Sequence, residues 1–179
     1  MKRLYAAIAC LIVLGFTASR LSAQAAAPQP GPEVKKLDYF VGNWKLDGEA
    51  KPGPAGPGGK ISGTEQNEWH KGGFFLVCRN SESGPMGSFA SLNIYGYDSA
   101  NKVYSFDQFN NVGEKVHATG ALADDTWTWN TELKAGGATI KARFVQKILS
   151  PTTYNFKFEI SPDGTNWSTI LEGKATKTS

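Results

Sequence analysis

The sequence predicts an all-β domain, an up-and-down antiparallel β-barrel of about 8–10 strands with a short N-terminal helix. Three observations carry this. After Trp44, apolar residues recur at every second position, which is the period of a strand with one buried face. The periodic segments are separated by short clusters of Gly, Pro, Asn and Asp, all of hairpin length, with no room for a crossover helix. An open sheet of that many strands would leave two long unpaired edges, and closure into a barrel removes both.

The elements follow in chain order. Lys2 and Arg3 precede an apolar run from Leu4 to about Phe16, followed by small residues, the layout of a secretory signal peptide. Cleavage is expected after Ala23 or Ala25. The apolar run falls short of the ~20 residues a membrane span needs, so the mature form is expected to have no membrane span and to be secreted or periplasmic. Residues 1–23 are thus read as signal, 24–32 (QAAAPQPGP) as a flexible leader, and 33–179 as the domain. In EVKKLDYF, Val34, Leu37 and Phe40 recur at helical spacing and predict one or two helical turns. Ten strands are then expected, at 43–50, 60–69, 73–80, 88–97, 102–110, 115–121, 126–133, 138–149, 152–161 and 167–176. In the clearest of them Tyr154, Phe156, Phe158 and Ile160 share one face, and Trp127, Trp129 and Leu133 share another.

Charge and cysteine content narrow the function classes. Three of the 19 basic residues lie in the signal segment, leaving 16 against 16 acidic residues, so bulk charge offers nothing to nucleic acid or to an anionic membrane. With Cys10 in the signal, Cys78 is alone and no intrachain disulfide can form. Embedded in FFLVCRN, it is expected to be a small core residue.

With its leader, its short helix and Gly42-Asn43-Trp44 opening the first strand, the chain resembles the calycin group, the lipocalin-like barrels. Within that group it is most similar to the bacterial secreted family known as domain of unknown function 1579. The features that match are LDYFVGNW (37–44), GGFFL (72–76), IYGYDSANKVYSF (94–106), FNNVGE (109–114) and SPDGTNWSTILEG (161–173), which together span the domain. The resemblance implies a fold and a location more than an activity. In lipocalins this tryptophan closes the barrel floor against a basic side chain near the last strand, so Trp44 would pair with Lys174, a lysine where the pattern has arginine.

Catalytic signatures are few. Only His70 and His117 are available as imidazoles, and no HExxH, CxxC, G-x-S-x-G or G-x-G-x-x-G spacing occurs. No catalytic residue, metal site or cofactor is assigned. Asp107, Glu114, Glu65 and Glu68 are read by default as surface charge. The leading expectation is a binder of a small apolar or amphipathic molecule, with Trp127, Trp129, Phe144, Phe156 and Phe158 as apolar wall and Tyr95 and His117 as polar handles. Two alternatives stay open at this level. One is a haem-binding protein, with His117 as axial ligand, or a small cyclase or isomerase-type enzyme; the other is a barrel plugged by its own aromatic residues and serving as an interaction module.

Overall fold

A computed structural model of the protein describes residues 27–53 and 56–178. The signal segment and the first leader residues lie outside the described residues. A single helical turn, α1 (Pro32–Lys35), runs directly into a 3-10 turn (Lys36–Phe40). Ten strands follow: β1 (Gly42–Ala50), β2 (Gly59–Trp69), β3 (Leu76–Gly84), β4 (Gly87–Asp98), β5 (Val103–Asn110), β6 (Lys115–Ala123), β7 (Thr126–Ala135), β8 (Ala138–Ser150), β9 (Thr153–Ser161) and β10 (Ser168–Lys177). Each pairs antiparallel with its neighbours in sequence, and β1 pairs with β10, so the sheet closes on itself. The expected barrel is present at the upper end of the expected strand number.

One strand sits differently from its expected position. β3 begins at Leu76 rather than Gly73 and continues through Ser81-Glu82-Ser83. Gly72 and Gly73 both have positive φ, and a turn joins His70 to Phe75, so strand pairing cannot start before it. The polar run SES is strand because β2 and β4 flank it on both sides. Tertiary pairing overrides its loop-like composition.

The helical segment is the barrel's floor. Val34, Leu37 and Phe40 are its buried residues, as their spacing predicts. Phe40 stands edge-on to Tyr154 (ring centroids 5.8 Å apart) and lies against Trp127 (5.6 Å). Polar ties fix the segment to strands around the ring. Trp44 Nε1 donates to the Phe40 carbonyl (2.7 Å), and Trp69 Nε1 donates to Asp38 Oδ1 (2.7 Å). The Tyr39 hydroxyl lies 3.0 and 2.9 Å from the carbonyls of Ser150 and Thr153, and the Tyr104 hydroxyl lies 2.8 Å from a Glu33 carboxylate oxygen.

The cation that covers Trp44 is Lys177, not Lys174. Lys177 Nζ sits 5.0 Å from the Trp44 ring centroid and donates to the Tyr39 carbonyl (3.3 Å). Lys174 is exposed, in register with Asp47. The reason is strand phase: Ala175 is fully buried, so 174 points outward and 177 shares the inward phase at the floor end.

Above the floor the interior is layered with rings. Trp127 and Trp129 stack in parallel, with centroids 5.6 Å apart and an interplanar angle of 4°. Gly120 lies opposite Trp129 across the β6–β7 pair, and a Cβ at 120 would overlap the indole. The glycine is what lets the indole lie flat against β6. Replacing Phe40 with alanine removes the centre of the floor and is expected to cost about 3–5 kcal/mol, read as a lower urea midpoint with an unchanged slope.

Candidate functional site

The rings fill only part of the barrel. Toward the end away from the floor a cavity of about 200 Å³ remains. One wall is aromatic: Tyr95, Phe106, Trp129, Phe144 and Phe158. Trp129 is held in place by its Nε1, which donates to buried Gln146 Oε1 (2.9 Å).

The opposing wall comes from β2, β3 and β4 and is polar. It consists of Glu65, Asn80, Glu82 and Asn93. Each faces inward through strand alternation: Glu65 is in phase with Asn67, Asn80 and Glu82 with Leu76 and Cys78, and Asn93 with Tyr95. Asn80 and Asn93 are 8% and 4% exposed. Asn80 Nδ2 donates to Glu82 Oε1 (2.9 Å), and Asn93 Nδ2 lies 3.6 Å from Cys78 Sγ. Their amide oxygens, Oδ1 of both, are buried without a partner.

Glu65 is the titratable centre of this wall. One of its carboxylate oxygens accepts from the Tyr154 hydroxyl (3.2 Å) and from Asn67 Nδ2 (3.5 Å). Desolvation pushes its carboxyl up to about 7, the two hydrogen bonds pull it back, and the nearby Glu82 charge adds to the rise. The default reading of Glu65 as surface charge is therefore corrected. Glu68, Asp107 and Glu114 do face outward, Glu68 paired with Arg79 (2.7 Å).

The residues expected to form the site separate into three groups. Tyr95, Trp129, Phe144 and Phe158 line the cavity. Trp127 (0% exposed) and Phe156 (2%) belong to the packed core beneath and beside it, Trp127 under Trp129 and Phe156 against Phe144 (6.0 Å). His117 is outside altogether. Its side chain is 57% exposed and its Nδ1 lies 3.1 Å from Asp107 Oδ1, the residue facing it across β5–β6. Its neighbours Val116 and Ala118 take the inward phase, so an axial bond from His117 to an interior haem is sterically impossible in this register. Among the described residues no three His, Cys, Asp or Glu side chains group to hold a metal ion.

Fold and site together define a class: a closed ten-stranded antiparallel barrel, floored by its N-terminal helical segment and hollow above it. The chain belongs to the family described as Protein of unknown function (DUF1579), which matches residues 29–177. No curated protein sequence matches it. Among solved structures it is similar to Rv2717c from M. tuberculosis, at 11% identity and a TM-score of 0.56, over 84% of this chain and 100% of that one. At that identity the likeness concerns the barrel alone. EF1p2_mFAP2b bound to DFHBI matches at 10% identity and a TM-score of 0.44, over 81% of this chain and 98% of that one. That second similarity is too weak to bear on this chain.

The raised Glu65 carboxyl has a signed consequence for stability. Between its ordinary value of 4.5 and about 7, the unfolded chain releases this proton while the folded one keeps it. Folding is therefore favoured below that window and loses stability as pH rises through it. A loss on the order of 1–3 kcal/mol is expected, reduced from the full shift by solvent reaching the carboxylate through the cavity. Urea unfolding of wild type and Glu65→Gln at pH 5 and pH 8 measures it: the difference between the two proteins should change by that amount, with Gln relatively better at pH 8.

Proposed function

We propose that the protein binds one small amphipathic molecule inside the barrel, and that it does so as a secreted or periplasmic protein after loss of its leader. The observation that carries this reading is the cavity itself, with rings on one wall and the inward carboxyls of Glu65 and Glu82 on the other. A protein interior rarely holds carboxyls without a cation beside them, so two of them beside a void suit a site that a ligand completes. An engineered apolar cavity of about 150 Å³ holds benzene. The volume here accommodates a single ring with a short substituent.

Binding should quench or shift tryptophan emission, because Trp129 forms part of the wall. Val116 also lines the cavity, and Val116→Phe is expected to fill it: uptake of one-ring probes, followed by tryptophan emission and calorimetry, should fall about tenfold or more while the fold is kept. His117→Ala, on the outer face, should leave uptake unchanged. Equal uptake by wild type and the filled variant would place the binding elsewhere on the molecule.

A second reading, an isomerase-type enzyme on the same barrel, draws on one observation: a carboxyl poised at about 7 beside a tyrosine hydroxyl is suited to moving protons. Turnover of a bound compound, absent in Glu65→Gln, would separate it from simple binding.

A further inference from the structure

The polar wall is one-sided in its chemistry. Its ionisable groups are both acids, Glu65 and Glu82. The Asn80 orientation is fixed by its neighbour, because a carboxylate can only accept, so Nδ2 must face Glu82 and Oδ1 must face away. Among the described residues no lysine, arginine or histidine lines the cavity. On the outer face several carboxylates have a cation at hand: Glu159 has Arg143 (2.6 Å), Glu172 has Lys51 (2.7 Å) and Asp107 has His117 (3.1 Å). Glu65 and Glu82 line the cavity with no such cation beside them among its lining residues.

A cavity with two carboxyls and no positive charge in its lining specifies what completes it. An anion would meet two carboxylates. A neutral hydrocarbon would satisfy the rings and leave both carboxyls without a cation. An ammonium supplies up to three donors and the missing charge, and the facing rings favour a cation at their π-faces while covering its apolar body. Resting on the reading that the cavity holds a ligand, we propose that this ligand is a small organic cation, a primary or secondary amine on an apolar body of about one ring. Its ammonium lies against Glu65, Glu82, Asn80 and Asn93, and its body lies against Trp129, Phe144 and Phe158.

The site's charge state is consistent with this and adds a pH signature. The titratable groups facing Glu65 are Glu82 and Cys78 from β3, Tyr95 from β4 and Tyr154 from β9. From β1 it is faced by the apolar Trp44 and Leu46. Burial holds Cys78 and both tyrosines neutral near pH 7, leaving Glu65 as the group whose ionisation a bound cation would drive. Amine affinity should therefore rise from pH 6 to pH 8.

Calorimetry of the leaderless chain with phenethylamine, phenethyl alcohol and phenylacetate tests the inference, since the three share one ring and differ in charge. The amine is expected to bind about tenfold or more tightly than the alcohol, with phenylacetate weakest. Glu65→Gln should remove most of the amine's advantage over the alcohol. Alcohol or phenylacetate binding as tightly as the amine in wild type would overturn the cation assignment while leaving the binding reading intact. If none of the three binds, and apolar fluorescent probes do not either, the binding reading itself falls and the inference with it. Should Glu65→Gln fail to fold, the wild-type ranking and the same measurement in Glu82→Gln decide.

Discussion

A ring of ten antiparallel strands encloses more volume than strand side chains alone can fill. This excess is the constraint to which the rest of the molecule responds. At one end it is met by adding chain: Val34, Leu37 and Phe40 are delivered into the barrel by the short helical segment, and Trp44, Trp127 and Tyr154 pack around Phe40. At the other end, among the described residues, no segment is inserted, and the unfilled remainder is the cavity. The Trp44 indole, donating to the Phe40 carbonyl and covered by Lys177, joins the inserted segment to the first and last strands at the point where the barrel closes.

The two ends therefore differ in what they can tolerate. Each ring pair in the floor adds about 0.5–1.5 kcal/mol beyond the burial of its area, and the rings there are large and nearly or fully excluded from solvent. That surplus offsets a polar wall whose partnerless atoms cost about 1–3 kcal/mol each. A barrel with neither an inserted floor nor a stacked Trp127–Trp129 pair would have little stability to set against Asn80, Asn93 and Glu65 facing inward. Packed rings are concentrated below and inward polar groups above, on the same strands.

Much of this architecture was legible in the sequence. The strand period, the hairpin-length connections and the helical spacing of Val34, Leu37 and Phe40 are local patterns, and local patterns survive folding when they agree with the fold around them. The aromatic wall was legible for the same reason, since rings at alternate positions in β7, β8 and β9 share the inward phase. The polar wall was not. Glu65, Asn80, Glu82 and Asn93 have the composition of a solvated face, and composition argues for surface. The signal that contradicts composition is phase: Ile61 and Trp69 bracket Glu65 at even spacing, Leu76 and Cys78 do the same for Asn80 and Glu82, and Tyr95 does so for Asn93. His117 misled for the converse reason, being flanked by apolar residues because they, and not it, point inward.

The misplacement of Lys174 shows how much a single position matters in a closed sheet. Strand alternation is exact to one residue, so a basic side chain three positions from the expected one can keep the role only if the separation preserves phase relative to the core. Lys177 is two residues from buried Ala175 and therefore reaches Trp44; Lys174 is one residue away and cannot. The same parity governs the cavity. Asp107, one residue from the inward Phe106 and Gln108, becomes a surface partner for His117, whereas Glu65, two residues from inward Asn67, becomes an interior acid. Which acids meet solvent and the protein's own cations, and which face the cavity, follows from that parity.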